Sequence, residues 1–257
     1  MVSEFAPEKR FTDRVAQYVQ HRPSYPPEVF EILQAEFGPA TGTQVADVGA
    51  GTGIFSKLLL EHGYQVTAVE PNDAMRTAAE ELLADRPGFA SSSGTAEATG
   101  LPDDSVDLVT AAQAFHWFDV PRARTEFARI LRSPGNVLLI WNDRDRVGNP
   151  FLAEYDQLLL ELGTDYAALS KKMDAMLASL PEFFDPGTYR RQVVTSFQDF
   201  DFPQFVGRVL SSSYIPGPDH LRHPEVLAAL KRLFNQHNRQ GIVTFEYQVT
   251  MHLGQVT

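Results

Sequence analysis

The stretch QVADVGAGTGIFSKLLLEHGYQVTAVEPND, Gln44 to Asp73, decides how the rest of the chain is read. A short run, QVADV, enters three glycines at alternate positions, Gly49, Gly51 and Gly53. A helical stretch, Ile54 to Glu61, follows and stops at Gly63. A second run, QVTAVE, ends on Glu70, 21 residues after Gly49. Strand, glycine turn, helix and strand in this order make a right-handed crossover between parallel strands. Glycines at the turn let the backbone bend sharply and let a ligand approach without meeting a Cβ. A carboxylate at the end of the neighbouring strand is placed to accept hydrogen bonds from both hydroxyls of a ribose. A nucleoside-bearing cofactor across two strand ends therefore fits better than a plain glycine-rich turn beside an exposed acid.

Outward from this unit, strand and helix keep alternating. Residues 1–43 read as a polar lead and a helix in PPEVFEILQAEF, with Pro26 and Pro27 at its start, where a missing N–H costs nothing. DAMRTAAEELLA reads as a helix with Met75, Ala78 or Ala79, and Leu82 on one face, capped by Asn72 or Asp73. A weak strand near GFASSS precedes a stronger one in VDLVTAA. RARTEFARIL turns Ala123, Phe127, Ile130 and Leu131 inward, and SPG stops it. NVLLIW is a continuous apolar run suited to a strand covered on both faces. Beyond Arg144 the rhythm changes: Phe151, Tyr155, Leu158, Leu159 and Leu162 mark an amphipathic helix, and further helical stretches are broken by prolines. VTFEYQVTMHL alternates strictly, as expected of an antiparallel strand buried on one side. The fold class is α/β, a doubly wound and mostly parallel sheet.

With 257 residues, 43% of them hydrophobic and 21% charged, the chain suits one α/β domain carrying an insertion, or two small domains. The formal charge is −11 and no Lys/Arg-rich run occurs, which disfavours a nucleic-acid surface. A small acidic substrate stays open, since a few arginines in one pocket suffice. Cysteine is absent, so disulfides, thiolate metal sites and cysteine nucleophiles are excluded, and no metal is expected. No apolar run approaches the ~20 residues of a membrane span, and MVSEFAPEKRF lacks the apolar core of a signal peptide. A cytoplasmic monomer or homodimer without a membrane partner is the expectation.

The dinucleotide fingerprint is Gly-x-Gly-x-x-Gly; here the pattern is Gly-x-Gly-x-Gly, and no Walker Lys-Ser/Thr follows. At this point the sequence resembles the class I S-adenosylmethionine-dependent methyltransferases, and within them the small-molecule branch of trans-aconitate methyltransferases and methyltransferase type 11. VADVGAGTG is similar to the first motif of that family and VTAVEPNDAM to its second. GTAEATGLPDDSVDLVTAAQAFHWFD resembles the region from the adenine loop through the fourth strand. YVQHRPSYP, LSSSYI and GIVTFEYQVTMHLG resemble segments of the branch, and the similarity is weakest over 145–200. The resemblance implies a Rossmann-like sheet of seven strands, with an antiparallel C-terminal strand and a helical insertion. It also implies that Gly49, Ala50, Gly51 and Gly53 contact the methionine end of the cofactor, with Asp47 supporting the loop and the amino group. Glu70 would take the ribose, Pro71 and Met75 would lie near the adenine, Thr95, Ala96 and Glu97 would border it, and Gln113 would sit near the sulfonium. Thr95 stands where many relatives carry an aspartate, and Gly135-Asn136 replaces a paired glycine.

Methyl transfer from a sulfonium is an in-line displacement, for which a protein mainly supplies alignment and exclusion of water. A general base matters only for an acceptor that is protonated at working pH. His116 in AQAFHWFD is the candidate base, or else a histidine that holds the loop. Trp117 and Phe118 offer an apolar wall. Tyr18 and Arg22, four residues apart, are candidates for capping the pocket and meeting a carboxylate. Arg144 and Arg146 are candidate acceptor contacts, or solvated partners of Asp143 and Asp145. The expected organisation is an N-terminal lid and first helix over 1–43, a cofactor-binding core over 44–143, a helical insertion and lid with a sixth strand over 144–240, and a final strand over 241–257. The expected activity is methylation of a small organic acceptor, first on a carboxylate or hydroxyl oxygen, then on carbon or nitrogen. An NAD(P)-dependent oxidoreductase and a non-catalytic cofactor-binding protein are the rival readings.

Overall fold

The computed structural model describes residues 23–257. Its strands are β1 (Gln44–Val48), β2 (Gln65–Val69), β3 (Phe89–Ser92), β4 (Val106–Ala112), β5 (Leu131–Arg144), β6 (Tyr189–Phe200) and β7 (Val243–Gln255). They form one seven-stranded sheet in the order β3-β2-β1-β4-β5-β7-β6. Strands β1 to β5 pair in parallel, whereas β7 runs antiparallel to both β5 and β6. The order steps outward from β1 to β3 and then returns to β4 on the other side of β1. That reversal opens a crevice at the carboxyl ends of β1 and β4, where doubly wound sheets bind ligands.

Helices α1 (Glu28–Phe37), α2 (Ile54–Glu61), α3 (Asp73–Leu83) and α4 (Val120–Ile130) accompany the parallel strands. Between β5 and β6 come α5 (Pro150–Leu162) and α6 (Tyr166–Phe183), and between β6 and β7 come α7 (Phe202–Leu210) and α8 (His223–His237). Side chains fix several helix starts by accepting an otherwise orphaned backbone N–H. Asn72 Oδ1 takes Met75 N–H at 3.0 Å at α3. Asp201 and Gln204 make a reciprocal capping box at α7, at 2.9 and 3.0 Å.

Three apolar clusters hold the layers. On one face of the sheet α4 and α6 bury Phe127, Leu180, Phe183 and Phe184 against Val109, Leu139 and Trp141. On the other, α1 and α2 bury Phe30, Leu33, Phe55 and Leu59 against Leu138, Ile140 and Met251. A third cluster gathers α5, α7 and α8 around Phe245 and Tyr247 of β7. Burial of a Leu- or Phe-sized side chain is worth about 1.5–3 kcal/mol, so the insertion carries a core of its own.

Three local expectations need correction. The buried face of α3 is Met75, Ala79 and Leu83, while Leu82 is 43% exposed, because i, i+4, i+8 aligns with the contact better than i+7 here. Leu131 is buried as expected, but it opens β5 instead of closing α4. Strand β7 is buried on one side only in its first half; from Val249 to Gly254 both faces are covered. The reason is its interior place in the sheet, where His252 lies between the rings of Trp141 and Tyr189, at 5.8 and 5.6 Å, and Gly254 backs onto Phe184. No helix among the described residues is long and apolar enough to cross a membrane.

Candidate active site

The glycine loop joins β1 to α2 and is stitched to the end of β2. The N–H groups of Gly49 and Ala50 both donate to Val69 O, at 2.8 and 3.2 Å. Gly49 has φ +70°, and a Cβ there would stand 2.5 Å from Ala114 Cβ, so nothing larger than glycine fits. Gly51, at φ +58°, donates its N–H to Glu70 Oε2 at 2.8 Å. Asn72 N–H donates to the other carboxylate oxygen, Glu70 Oε1, at 2.9 Å. Each oxygen keeps a second lone pair, so the carboxylate retains the capacity of a bidentate acceptor. Burial pushes the Glu70 carboxyl above its ordinary pKa, against the Asn72 and Gly51 N–H groups and Arg76, which hold it down.

Asp47 lies under the loop with no exposed surface. Its oxygens accept from Ser56 Oγ at 2.6 Å and from Thr110 Oγ1 at 2.8 Å, tying the loop and α2 to β4. Burial raises its pKa to about 6, although both hydroxyl hydrogen bonds oppose the shift. Its carboxylate faces the loop's scaffold, not the cleft described below. Pro71 follows Glu70, and Met75 Cε comes within 3.8 Å of where a Cβ on Gly51 would lie.

The turn after β3 brings Thr95, Ala96 and Glu97 to the neighbouring strand end, closed by a bridge between Thr95 and Ala98. Ala96 is buried, and Glu97 Oε1 accepts Asp119 N–H at 2.8 Å. The turn is anchored by Thr99, whose N–H and hydroxyl both donate to Glu126 Oε1, at 2.7 and 2.6 Å. Arg129 beside it, with Thr99, holds the Glu126 carboxyl down at about 2.

A cleft of about 460 Å³ opens from the loop across the ends of β4 and β5, a size suited to a small-molecule site. Gly49 and Ala50 line its inner end, and Gln113, His116 and Trp117 its wall. Gln113 follows β4 at φ +60°, a conformation seldom adopted by a side chain of this size and frequent at functional sites. His116 is 8% exposed and its ring lies 4.7 Å from that of Trp117.

The far end of the cleft is built by residues from β5, α5, α6, α7 and β7 and from the loop after α7. Arg144 ends β5; it donates to Tyr166 OH at 2.8 Å and more weakly to Tyr214 OH at 3.4 Å. Arg208 of α7 also lines the cleft and is 3% exposed. It donates to Tyr247 OH and Ser212 Oγ, each at 3.3 Å. Asp156 accepts from Arg146 at 3.2 Å and from the Tyr166 hydroxyl, and lies 3.9 Å from Arg144. Asp143 is open to water yet deep in the concavity, where burial raises its pKa. Burial also raises the hydroxyls of Tyr155 and Tyr166, the latter to about 12, so both stay neutral near pH 7.

The fold thus brings Gly49, Ala50, Gln113, His116, Trp117 and Arg144 to one cleft. It sets Asp47 behind the loop, and Glu70, Met75 and the Thr95–Glu97 turn at the adjoining strand ends. Tyr18 and Arg22 lie outside the described residues. Sequence reasoning missed Arg208, Tyr166 and Tyr214. The signal for Arg208 was present: it shares the buried face of α7 with Phe205 and Val209, and an arginine on an apolar face is the informative exception.

Residues 46–139 match the family described as methyltransferase domain. That match runs from β1 into β5 and covers part of the chain. An uncharacterized methyltransferase of Mycobacterium tuberculosis is 44% identical over 135 residues, 52% of this chain and 53% of the relative. The chain thus spans about half the length of the first curated relatives it matches. A malonyl-[acyl-carrier protein] O-methyltransferase of Serratia marcescens is 28% identical over 183 residues, 70% of this chain and 66% of that one. Among solved structures, a candidate type II methyltransferase of Anaeromyxobacter dehalogenans superposes with a TM-score of 0.67 at 22% identity, over 91% of this chain and 97% of that chain. That likeness shows a shared fold over most of the chain. The matched region ends within β5, so Arg144, Tyr166, Arg208 and Tyr214 all lie beyond it.

Proposed function

We propose that the chain is an S-adenosylmethionine-dependent methyltransferase acting on a small organic acceptor, with a carboxylate or hydroxyl oxygen as the receiving atom. The observation that carries this reading is the Glu70 carboxylate, held by Gly51 and Asn72 N–H beside a bare glycine loop at the switch point. These features fit an adenosyl group: a two-oxygen acceptor for ribose hydroxyls, and backbone at Gly49–Gly53 that a side chain would fill. In this reading Glu70 holds the ribose, Pro71, Met75 and Thr95–Glu97 border the adenine, and the loop with Gln113 positions the methionine end. Bound there, the cofactor supplies a sulfonium methyl group, passed to an acceptor oxygen as the S–C bond breaks and sulfur keeps the electron pair.

The chain's own part is alignment and exclusion of water. Trp117 walls the cleft, and residues 144–240 cover its acceptor end. His116 takes the proton from a hydroxyl acceptor; a carboxylate acceptor has none to lose. The name of the Serratia relative favours oxygen over carbon or nitrogen.

Calorimetry with S-adenosylhomocysteine and with NAD(P), followed by incubation with methyl-labelled cofactor and a panel of small acids, phenols and amines, tests the reading. Micromolar homocysteine-nucleoside binding with label transfer to an oxygen is expected. Nicotinamide binding alone points to an oxidoreductase, and binding without transfer to any acceptor points to a non-catalytic protein.

A further inference from the structure

The acceptor end of the cleft holds an electrostatic imbalance. Arg146 is matched by Asp156 at 3.2 Å. Arg144 shares Asp156 at 3.9 Å and has Asp143 beside it. Arg208 has no carboxylate partner among the described residues; it meets the hydroxyls of Tyr247 and Ser212 and lies 5.9 Å from the centre of the Phe245 ring, and Arg144 repels it. Those hydroxyls soften the cost of burial but supply no negative charge. A guanidinium removed from water without a counter-ion is costly, and this one lines an open cleft. Beside it, Arg144 Nε and both polar atoms of the Asn142 side chain are buried without hydrogen-bond partners. An unmatched guanidinium and the unpartnered donors Arg144 Nε and Asn142 Nδ2 at one end of a cleft, in a chain of formal charge −11, mark a place made for a negative ligand group.

We infer that the methyl acceptor is a small organic acid, and that Arg208, with Arg144, Tyr214 and Asn142, anchors a carboxylate of the acceptor at the end of the cleft away from the glycine loop. The inference rests on the methyltransferase reading for the word acceptor, but the anion site stands on its own geometry. Carboxylate is favoured over phosphate by charge. One cation lacks a partner, Asp143 and Asp174 also line the cleft, and a phosphate monoester brings about −1.5 to −2 near pH 7. A planar guanidinium matches a carboxylate with two parallel hydrogen bonds. The anchored group would fix the acceptor's orientation, so that a second oxygen reaches the region of Gln113 and His116.

The test uses the whole chain, with and without saturating S-adenosylhomocysteine. Thermal midpoints are recorded with acetate, succinate and phenylacetate, with phenylacetamide and phenyl phosphate, and with sodium chloride at equal ionic strength. The carboxylates are expected to raise the midpoint above the chloride control and the amide is not, with phenyl phosphate weaker than phenylacetate. In Arg208→Met the carboxylate increment disappears and any measured carboxylate affinity falls at least tenfold. The ligand-free variant keeps its midpoint or gains, because a buried unmatched charge has gone. Carboxylates that act no better than chloride, or an increment that survives Arg208→Met, overturn the inference. Stronger protection by phenyl phosphate reassigns the site to a phosphate. If S-adenosylhomocysteine fails to bind while carboxylates protect, the cofactor reading fails and the anion site stands; the reverse pattern removes the anion site alone.

Discussion

Gly51 N–H and the Glu70 carboxylate are joined by a 2.8 Å hydrogen bond across the ends of β1 and β2. The bond fixes the loop and the acid relative to each other before any ligand arrives. Glu70→Ala removes that acceptor, so affinity for S-adenosylhomocysteine should fall by about 1.5–3 kcal/mol, the range for hydrogen bonds to a charged group. Glu70→Gln, which still accepts at one oxygen, should lose less. Calorimetry at pH 7 reads both; unchanged affinity in the alanine variant removes Glu70 from the cofactor site.

His116→Gln should leave S-adenosylhomocysteine affinity unchanged and lower turnover of a hydroxyl acceptor by about 10²–10⁴-fold. The acid limb of the kcat profile should flatten with it. A loss of turnover that is equal at every pH assigns His116 to holding the loop.

Asp47 and Glu126 should give opposite pH signatures. Asp47 binds its proton more tightly folded, with pKa about 6 against 3.8 for the free group. The folded state therefore holds more protons between pH 4 and 6, and stability falls as pH rises through that window, by an amount on the order of 3 kcal/mol. Asp47→Asn should remove the slope, so that urea midpoints of variant and parent diverge between pH 4.5 and 6.5 in favour of the variant.

Glu126 is the mirror case, with pKa about 2 against 4.5. Its contribution is complete above pH 4.5 and fades as pH falls toward 2. Glu126→Gln should cost ~1.5–3 kcal/mol at pH 7, with the deficit shrinking below pH 4. Because Glu126 anchors Thr99, the same variant should loosen the turn carrying Thr95–Glu97, read as faster amide hydrogen exchange there.

Local patterns carried most of the fold into the sequence. The glycine loop, Glu70 and the parallel strands are each set by residues within a few positions of one another, so period and turn chemistry were enough. Leu82 and Leu83 differ by one position on a helix, a margin that only the packing partner decides. The two buried faces of β7 follow from its neighbours in the sheet, which the alternation in Val243–Leu253 does not encode. The acceptor end was least legible for the same reason. Arg144, Tyr166, Arg208 and Tyr214 span 70 positions and meet only after α6 and α7 fold back over β5. A lone arginine in FPQFVGRVL shows its meaning once its surroundings are seen.

Strand β7 is made after β6 yet sits between β6 and β5. While the ribosome is still delivering the stretch before Val243, β5 lacks a neighbour on one side and β6 has no strand to join, so the acceptor wall hangs from an unfinished sheet. Closure of this sheet must await β7, and the emerging chain carries an exposed β-edge until then. A sheet completed in this order keeps an unpaired strand edge open to wrong partners until β7 arrives.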